Sequence, residues 1–237
     1  MKKILALALA TFGALGVAQA NYSLSSDIGF ASDYIFRGVQ LGDTTLHPSL
    51  ELTQGDFYAG MWAALPITEV ESENWNQEFD FYVGYTKELS DKSSLDFGAT
   101  YYFYPESENE ETIELYSGLK FDIAGFTPAI YGYYDFDLDT LTLQGSVGYS
   151  IPMAGAGTSL DLSTTLGYVD VDDLGSYVYY GASAQIPYKI NENATFTVGV
   201  HYATNDIGMR PGDNPGDPDI LVEDGFVYFT AGVTIGF

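Results

Sequence analysis

The sequence predicts an all-β protein: a single up-and-down antiparallel transmembrane β-barrel of twelve strands. Three observations carry this. Hydrophobicity alternates with a period of two almost everywhere beyond residue 20, while helical periodicity is hard to find. The composition is aromatic and small at once, with 20 Tyr, 15 Phe and 26 Gly. No later stretch approaches the eighteen or so apolar residues of a membrane helix, so a chain that crosses a membrane must do so as strands.

The chain opens with "MKKILALALATFGALGVAQA". Two lysines, a short apolar run and Ala18-Gln19-Ala20 have the layout of a cleavable secretory signal. Residues 1–20 are therefore expected to be removed, leaving 21–237 as one barrel domain. Removal leaves 6 basic residues against 33 acidic ones, a formal net charge of −27. With no basic patch to displace counterions, nucleic acid is excluded as a partner. The chain has no cysteine, which excludes a disulfide framework and thiolate metal sites.

Strands are expected at 24–38, 46–54, 56–66, 76–88, 94–105, 111–122, 125–136, 140–151, 158–171, 176–188, 194–205 and 226–237. Each is near or above the roughly nine to eleven residues that a tilted strand needs to span a bilayer. In "SLDFGATYYFY", Leu95, Phe97, Ala99, Tyr101 and Phe103 share one face, and Asp96, Gly98, Thr100, Tyr102 and Tyr104 the other. "TIELYSGLKF", "TLTLQGSVGY" and "ATFTVGVHYA" divide in the same way into an apolar and a polar or small face.

The connections alternate too. The odd-numbered ones are acidic and several are long, ending with 205–225. The even-numbered ones are mostly short, and hold or adjoin Lys87, Lys92, Lys120 and Lys189. Short periplasmic turns and longer outer loops are the layout of an outer-membrane barrel, with both termini periplasmic when the strand number is even. Closure also removes the two edges that an open sheet would have to protect. Aromatics gather near strand ends, as expected for two interfacial girdles: Tyr34, Phe36, Tyr101 to Tyr104, Tyr133, Tyr134, Phe136, Tyr177, Tyr179 and Tyr180 on the outer side, and Phe57, Tyr85, Phe121, Tyr188 and Phe237 on the periplasmic side.

The last strand, "FVYFTAGVTIGF", places Val227, Phe229, Ala231, Val233, Ile235 and Phe237 toward lipid. It resembles the C-terminal signal of bacterial outer-membrane barrels, which the barrel assembly machinery reads. The resemblance implies that Phe237 is an assembly signal. A second resemblance lies in "SDIGFASDYIFRGVQLGDTTLHPSLELTQGDFYAGMWAALP". Residues Ser32 to Gly38, Pro48 and Phe57 to Ala63 are similar to the start of the TorF family of porins. The specific match covers about the first forty residues of the expected mature chain. It implies a barrel fold and a channel role, and it carries no substrate with it.

The polar faces hold candidate pore-lining residues: Asp27, Asp33, Arg37, Glu51, Glu78, Asp80, Glu114 and Lys120, with Asp161 beside them. They would either line a wet pore and set its field, or form a plug of salt bridges. With so few cations among them, a pore should prefer cations to anions. Arg37 is expected on the first strand, inward and near its outer end. Asp33, four residues away, would be about 13 Å distant along a strand. Glu51 on the neighbouring strand is therefore the candidate partner.

The function expected is an outer-membrane channel for passive diffusion of small cationic or neutral solutes through a narrow acidic lumen. The expected partners are outer-membrane lipid and lipopolysaccharide, the barrel assembly machinery and small solutes. Two alternatives come from other classes. One is a closed structural or adhesive barrel acting through its acidic loops, with 205–225 as plug or contact surface. The other is a lipid hydrolase, suggested by His47 and Ser49 on one strand face. That face points inward and no oxyanion loop or orienting group accompanies it, so no catalytic residue is assigned. Asp135, Asp137, Asp139 and the stretch 213–219 lack the spacing of a calcium loop. No metal or cofactor is expected.

Overall fold

The computed structural model describes residues 22–67, 77–105, 111–172, 175–207 and 225–237. The expected signal at 1–20 and most of 205–225 lie outside them. The strands are β1 (Tyr22–Ala31), β2 (Tyr34–Phe36), β3 (Val39–Gly42), β4 (Thr45–Gln54), β5 (Phe57–Pro66), β6 (Glu78–Ser90), β7 (Ser93–Phe103), β8 (Thr112–Phe121), β9 (Phe126–Asp135), β10 (Thr140–Met153), β11 (Thr158–Val171), β12 (Gly175–Lys189), β13 (Ala194–Asn205) and β14 (Phe226–Gly236). Twelve of them form a closed antiparallel barrel in which each wall strand from β4 to β14 pairs with its chain neighbour. β1 pairs with β4 on one side and with β14 on the other, from Ser25↔Gly236 to Ala31↔Thr230. Phe237 completes the seam: its N–H donates to the Leu24 carbonyl at 2.8 Å, and its carbonyl accepts from Leu24 N–H at 3.2 Å. Closure leaves no wall strand without a partner on either side, the condition that hydrocarbon imposes on backbone polar groups.

The barrel is polar within and apolar without. Ile28, Val83 and Val227 leave 62%, 60% and 61% of their surface open, whereas Glu78, Asp96, Glu114 and Asp135 are buried. A soluble domain rarely exposes a continuous apolar belt of this kind, and a lipid-facing wall requires one. The period-two pattern fixes the register, because a slip of one residue would turn these carboxylates into lipid. Five short turns, at Gly55–Asp56, Asp91–Lys92, 122–125, 154–157 and 190–193, lie at one end of the barrel, and the four-residue turn 136–139 lies at the other.

Tyrosine and glycine are abundant for one geometric reason. On the lumen face, tyrosines stand directly opposite glycines on the next strand: Tyr58↔Gly84 and Tyr82↔Gly60 between β5 and β6, Tyr116↔Gly98 between β8 and β7, Tyr131↔Gly118 between β9 and β8, and Tyr179↔Gly167 between β12 and β11. A Cβ on any of these glycines would come within 2.1–2.4 Å of the facing tyrosine side chain. Each ring thus occupies the space that a side chain on its glycine would need, as aromatics do when they cover strand glycines.

One expected strand divides in two. Residues 24–38 do not continue as a single stave. β1 stops at Ala31, and residues 32–44 leave the wall as a short hairpin, β2–β3, that forms its own two-stranded sheet. Arg37 and Gly38 link the two strands, with φ of 48° and 79°. Two consecutive residues at positive φ make the tight turn whose twist suits a hairpin. The alternation of Ile28, Phe30, Tyr34 and Phe36 runs across the break, with only Ser32 and Ile35 against it there, which is why periodicity misses it.

This hairpin also corrects the outer girdle. Tyr34 is buried and packs on inward-facing His47 and Trp62, and Phe36 packs on Tyr102. Tyr102, Tyr133, Tyr177 and Tyr179 share the lumen face with the carboxylates. Tyr101, Tyr134, Phe136 and Tyr180 remain on the exposed outer surface, and Phe57, Tyr188 and Phe237 at the opposite end.

Candidate functional site

The β2–β3 hairpin folds into the lumen and crosses it. At its tip, Arg37 Nη2 lies 2.7 Å from Glu114 Oε2 and donates to Oε1 at 2.9 Å. Tyr102 OH donates to the same Glu114 Oε1 at 3.1 Å. The guanidinium carbon sits 4.7 Å from the centroids of both Phe36 and Tyr133, so the cation is held between two ring faces. On the other side of the tip, Asn205 Nδ2 on β13 donates to the Gly38 carbonyl. Gly38 is pressed against that wall: a Cβ there would lie 2.6 Å from Tyr179 Cβ and 2.9 Å from the Thr204 carbonyl. The tip therefore bridges β8 to β13. An arginine at positive φ is uncommon, and this one holds the position that carries the bridge.

The hairpin's flank is anchored by Tyr34, whose OH donates to Glu78 Oε2 at 3.0 Å in a buried bond. Its neck is tied to the wall by Ser32. Ser32 N–H donates to the Phe229 carbonyl at 2.9 Å, and Ser32 Oγ accepts from Phe229 N–H at 3.0 Å.

The residues picked out by sequence thus fall into distinct roles. Arg37 pairs with Glu114 on β8, not with Glu51 on the neighbouring strand, because the hairpin carries it across the lumen. Nor does Arg37 lie on a strand. Asp33 lies in the hairpin's neck, accepting from Ser32 Oγ at 2.8 Å and Gln40 Nε2 at 3.1 Å. Asp27, Glu51, Glu78, Asp80, Glu114, Lys120 and Asp161 all face inward. Thr234 Oγ1 donates to Asp27 at 2.7 Å, and Tyr82 OH donates to Glu51 at 3.0 Å. Asp80 Oδ1 and Asp161 Oδ1 are buried with no hydrogen-bond partner among the described residues.

Asp96 on β7 is a lumen residue that the pore-lining candidates omitted. It accepts from Tyr58 OH at 2.9 Å, Thr86 Oγ1 at 3.1 Å and Tyr131 OH at 2.6 Å, and its Oδ2 lies 3.1 Å from Lys120 Nζ. The sequence carried the signal, since Asp96 shares a face with Gly98, Thr100 and Tyr102. The four partners converge on it only through the register of β5, β6, β8 and β9.

The features that suggested other chemistry have structural explanations. His47 Nε2 lies 2.7 Å from Thr45 Oγ1 and its ring packs on Trp62, so it is not paired with Ser49. Asp135 Oδ1 accepts from the N–H groups of Asp137 and Leu138, capping a turn. Among the described residues, no three His, Cys, Asp or Glu side chains are placed to hold a metal. Residues 213–219 lie outside the description.

Closed wall, polar interior, apolar belt and an inward constriction define a porin-like outer-membrane channel fold, and solved structures agree. The KdgM porin superposes with a TM-score of 0.58 at 10% identity, over 91% of this chain and 99% of that one. An outer-membrane channel from Pseudomonas putida F1 gives 0.56 at 8%, over 94% and 97%. The NanC porin gives 0.53 at 16%, over 90% and 98%. At these identities the likeness is one of fold. Residues 16–213 match the family described as a bacterial protein of unknown function, Gcw_chp, and the chain belongs to that family. No curated protein matches it.

Proposed function

We propose that this protein is a non-enzymatic outer-membrane channel for passive diffusion of small neutral or cationic solutes, constricted by its own β2–β3 hairpin. The observation that carries the reading is the tip itself. Arg37, Glu114 and Asn205 fix an insert across the lumen, yet a cavity of about 450 Å³ remains beside it. The reading takes this space as the part of the lumen that small solutes use. The inward carboxylates outnumber Arg37 and Lys120, which favours cations over anions. The resemblance of residues 32–38, 48 and 57–63 to TorF porins supports the same reading. The outer-membrane setting implies contact with lipid and lipopolysaccharide. It also implies delivery by the barrel assembly machinery, with Phe237 as the assembly signal.

The KdgM porin has been solved in complex with disordered oligogalacturonate. A polyanion of that kind suits this lumen poorly, given its surplus of carboxylates.

The test is single-channel current across a planar bilayer under a salt gradient, using the refolded barrel. Discrete steps with a cation-selective reversal potential are expected. A folded, heat-modifiable barrel without current would favour the second reading, a closed scaffold acting through its loops. The specific observation on that side is the bridge from β8 to β13.

A further inference from the structure

The cavity under the hairpin tip is built in an unusual way. Its volume, about 450 Å³, falls within the roughly 300–1,000 Å³ of small-molecule sites. Phe36 and Arg37 form one side, and Tyr58, Tyr82, Tyr116 and Tyr131 form the wall. These four rings come from β5, β6, β8 and β9. Each packs against its paired glycine and lines the cavity with the rest of its ring, although Tyr131 shares that surface with Tyr133, stacked at 5.7 Å, and with Lys120 Nζ, 5.8 Å from its centroid. The result is a panel of flat aromatic surface along one side of a polar tube.

The charges around this panel are already taken. Asp96 is occupied by Tyr58, Thr86, Tyr131 and Lys120, and Glu114 by Arg37 and Tyr102. No carboxylate of the cavity is left to hold a cation, and its one cationic group, Arg37, is likewise matched. What the cavity still offers is ring faces and neutral hydrogen-bonding groups: phenol oxygens, the Thr100 hydroxyl and the NH2 of Gln144, whose Oε1 accepts from Tyr179 OH at 2.6 Å. The complement of such a surface is a molecule with an apolar C–H face and a rim of hydroxyls.

We infer that the cavity beneath the hairpin is a binding site for a neutral saccharide, whose ring faces stack on the tyrosine panel while its hydroxyls bond Gln144, Thr100 and the phenol oxygens. The inference deepens the channel reading, and rests on the lumen being open to water from at least one side.

The test pairs calorimetry with channel recording on the same folded full-length barrel in lauryldimethylamine oxide, a detergent without sugar. Maltotriose and cellotriose are titrated, with polyethylene glycol of similar mass as a hydroxyl-poor control. Saturable heat is expected from at least one trisaccharide and none from the polymer. Tyr131→Ala and Tyr82→Ala should each weaken binding about tenfold or more, whereas Tyr131→Phe, which keeps the face and loses the hydroxyl, should stay within about threefold. A merely structural role for the ring would give the same split together with a lower urea midpoint in Tyr131→Ala, so an affinity loss that tracks the midpoint overturns the inference. Should Tyr131→Ala fail to fold, Tyr82→Ala and Tyr131→Phe still decide. Absence of saturable heat with either trisaccharide, or wild-type affinity in the alanine variants, overturns the inference. Current without heat sinks the saccharide site alone, and heat without current sinks the through-pore alone.

Discussion

Arg37 and Glu114, 77 residues apart in the chain, meet inside the barrel at 2.7 Å with side chains only 12% and 3% exposed. The pair is what holds an inserted hairpin against the far wall. Removing one member leaves the other buried without its counter-charge, a change that costs up to about 3–5 kcal/mol in a dry site and less beside water. Arg37→Ala should therefore loosen the tip, raise single-channel conductance and shift the reversal potential further toward cations. The double variant Arg37→Ala/Glu114→Ala should be less destabilised than the sum of the singles, by about 0.5–3 kcal/mol. Unchanged conductance and selectivity in Arg37→Ala would show that the tip does not limit the pore.

Asp96 and Lys120 predict the opposite sign. Asp96→Asn removes a negative charge and frees Lys120, whose side chain is half exposed in the lumen. The cation-to-anion permeability ratio should fall. Lys120→Met should raise it, with little change in stability because the pair is partly solvated. A ratio that moves the same way in both variants would refute the assignment of these groups to the conducting path.

The tyrosine–glycine pairs predict a contrast among glycines. Gly167→Ala puts a methyl 2.1 Å from Tyr179 and Gly118→Ala one 2.4 Å from Tyr131, whereas Gly181→Ala meets nothing closer than 3.7 Å. The first two should lower stability by about 1–3 kcal/mol, as overpacking does, and Gly181→Ala should be near neutral. Urea midpoints of heat-modifiable folding measure this. Equal effects at all three positions would mean that the rings move aside freely.

Much of this was legible in the sequence, and the remainder has a physical reason for hiding. Strand positions, inward and outward faces and the short turns follow from period two alone, because a lipid-facing wall leaves no other place for Ile28 or Val83. The hairpin was not legible. Tyr34, Phe36 and the residues around them keep the same alternation whether they continue the wall or fold into it. Only the adjacent positive φ values of Arg37 and Gly38 mark the turn, and the sequence hinted at that with a single glycine. The choice of Glu114 over Glu51 follows from the fold in space, since the nearer strand is not the one a lumenal tip reaches.

Phe237 is bonded to Leu24 at the seam where the barrel closes. Deleting it should reduce the yield of membrane-inserted barrel without reducing synthesis, read as the heat-modifiable fraction in outer membranes. Normal yield would assign Phe237 no part in assembly.

At the opposite end from the hairpin, Asp56 lies in the β4–β5 turn and accepts from Tyr85 OH at 2.9 Å and Lys87 Nζ at 3.3 Å. The tyrosine bond first, and the lysine second, hold its carboxyl below the usual carboxylate range. The bonds' contribution is therefore complete above that range and is lost as pH falls through the lowered value. Titration of the Asp56 carboxyl carbon by NMR should give a midpoint below that of an ordinary aspartate. In Tyr85→Phe the midpoint should rise, and an unmoved midpoint would refute the attribution.

The hairpin departs from Ala31 and returns at Thr45, and these two residues are direct cross-strand partners. The staves that flank it would meet just as well if a two-residue turn joined them. Residues 33–43 are thus an exchangeable cassette: Ser32 and Thr44 still bond the wall, at the Phe229 carbonyl and the Ile67 N–H, but the segment between them serves neither its ladder nor its lipid-facing belt. Selection can alter what the channel admits by rewriting eleven residues, while the remainder of the chain goes on answering only to the membrane.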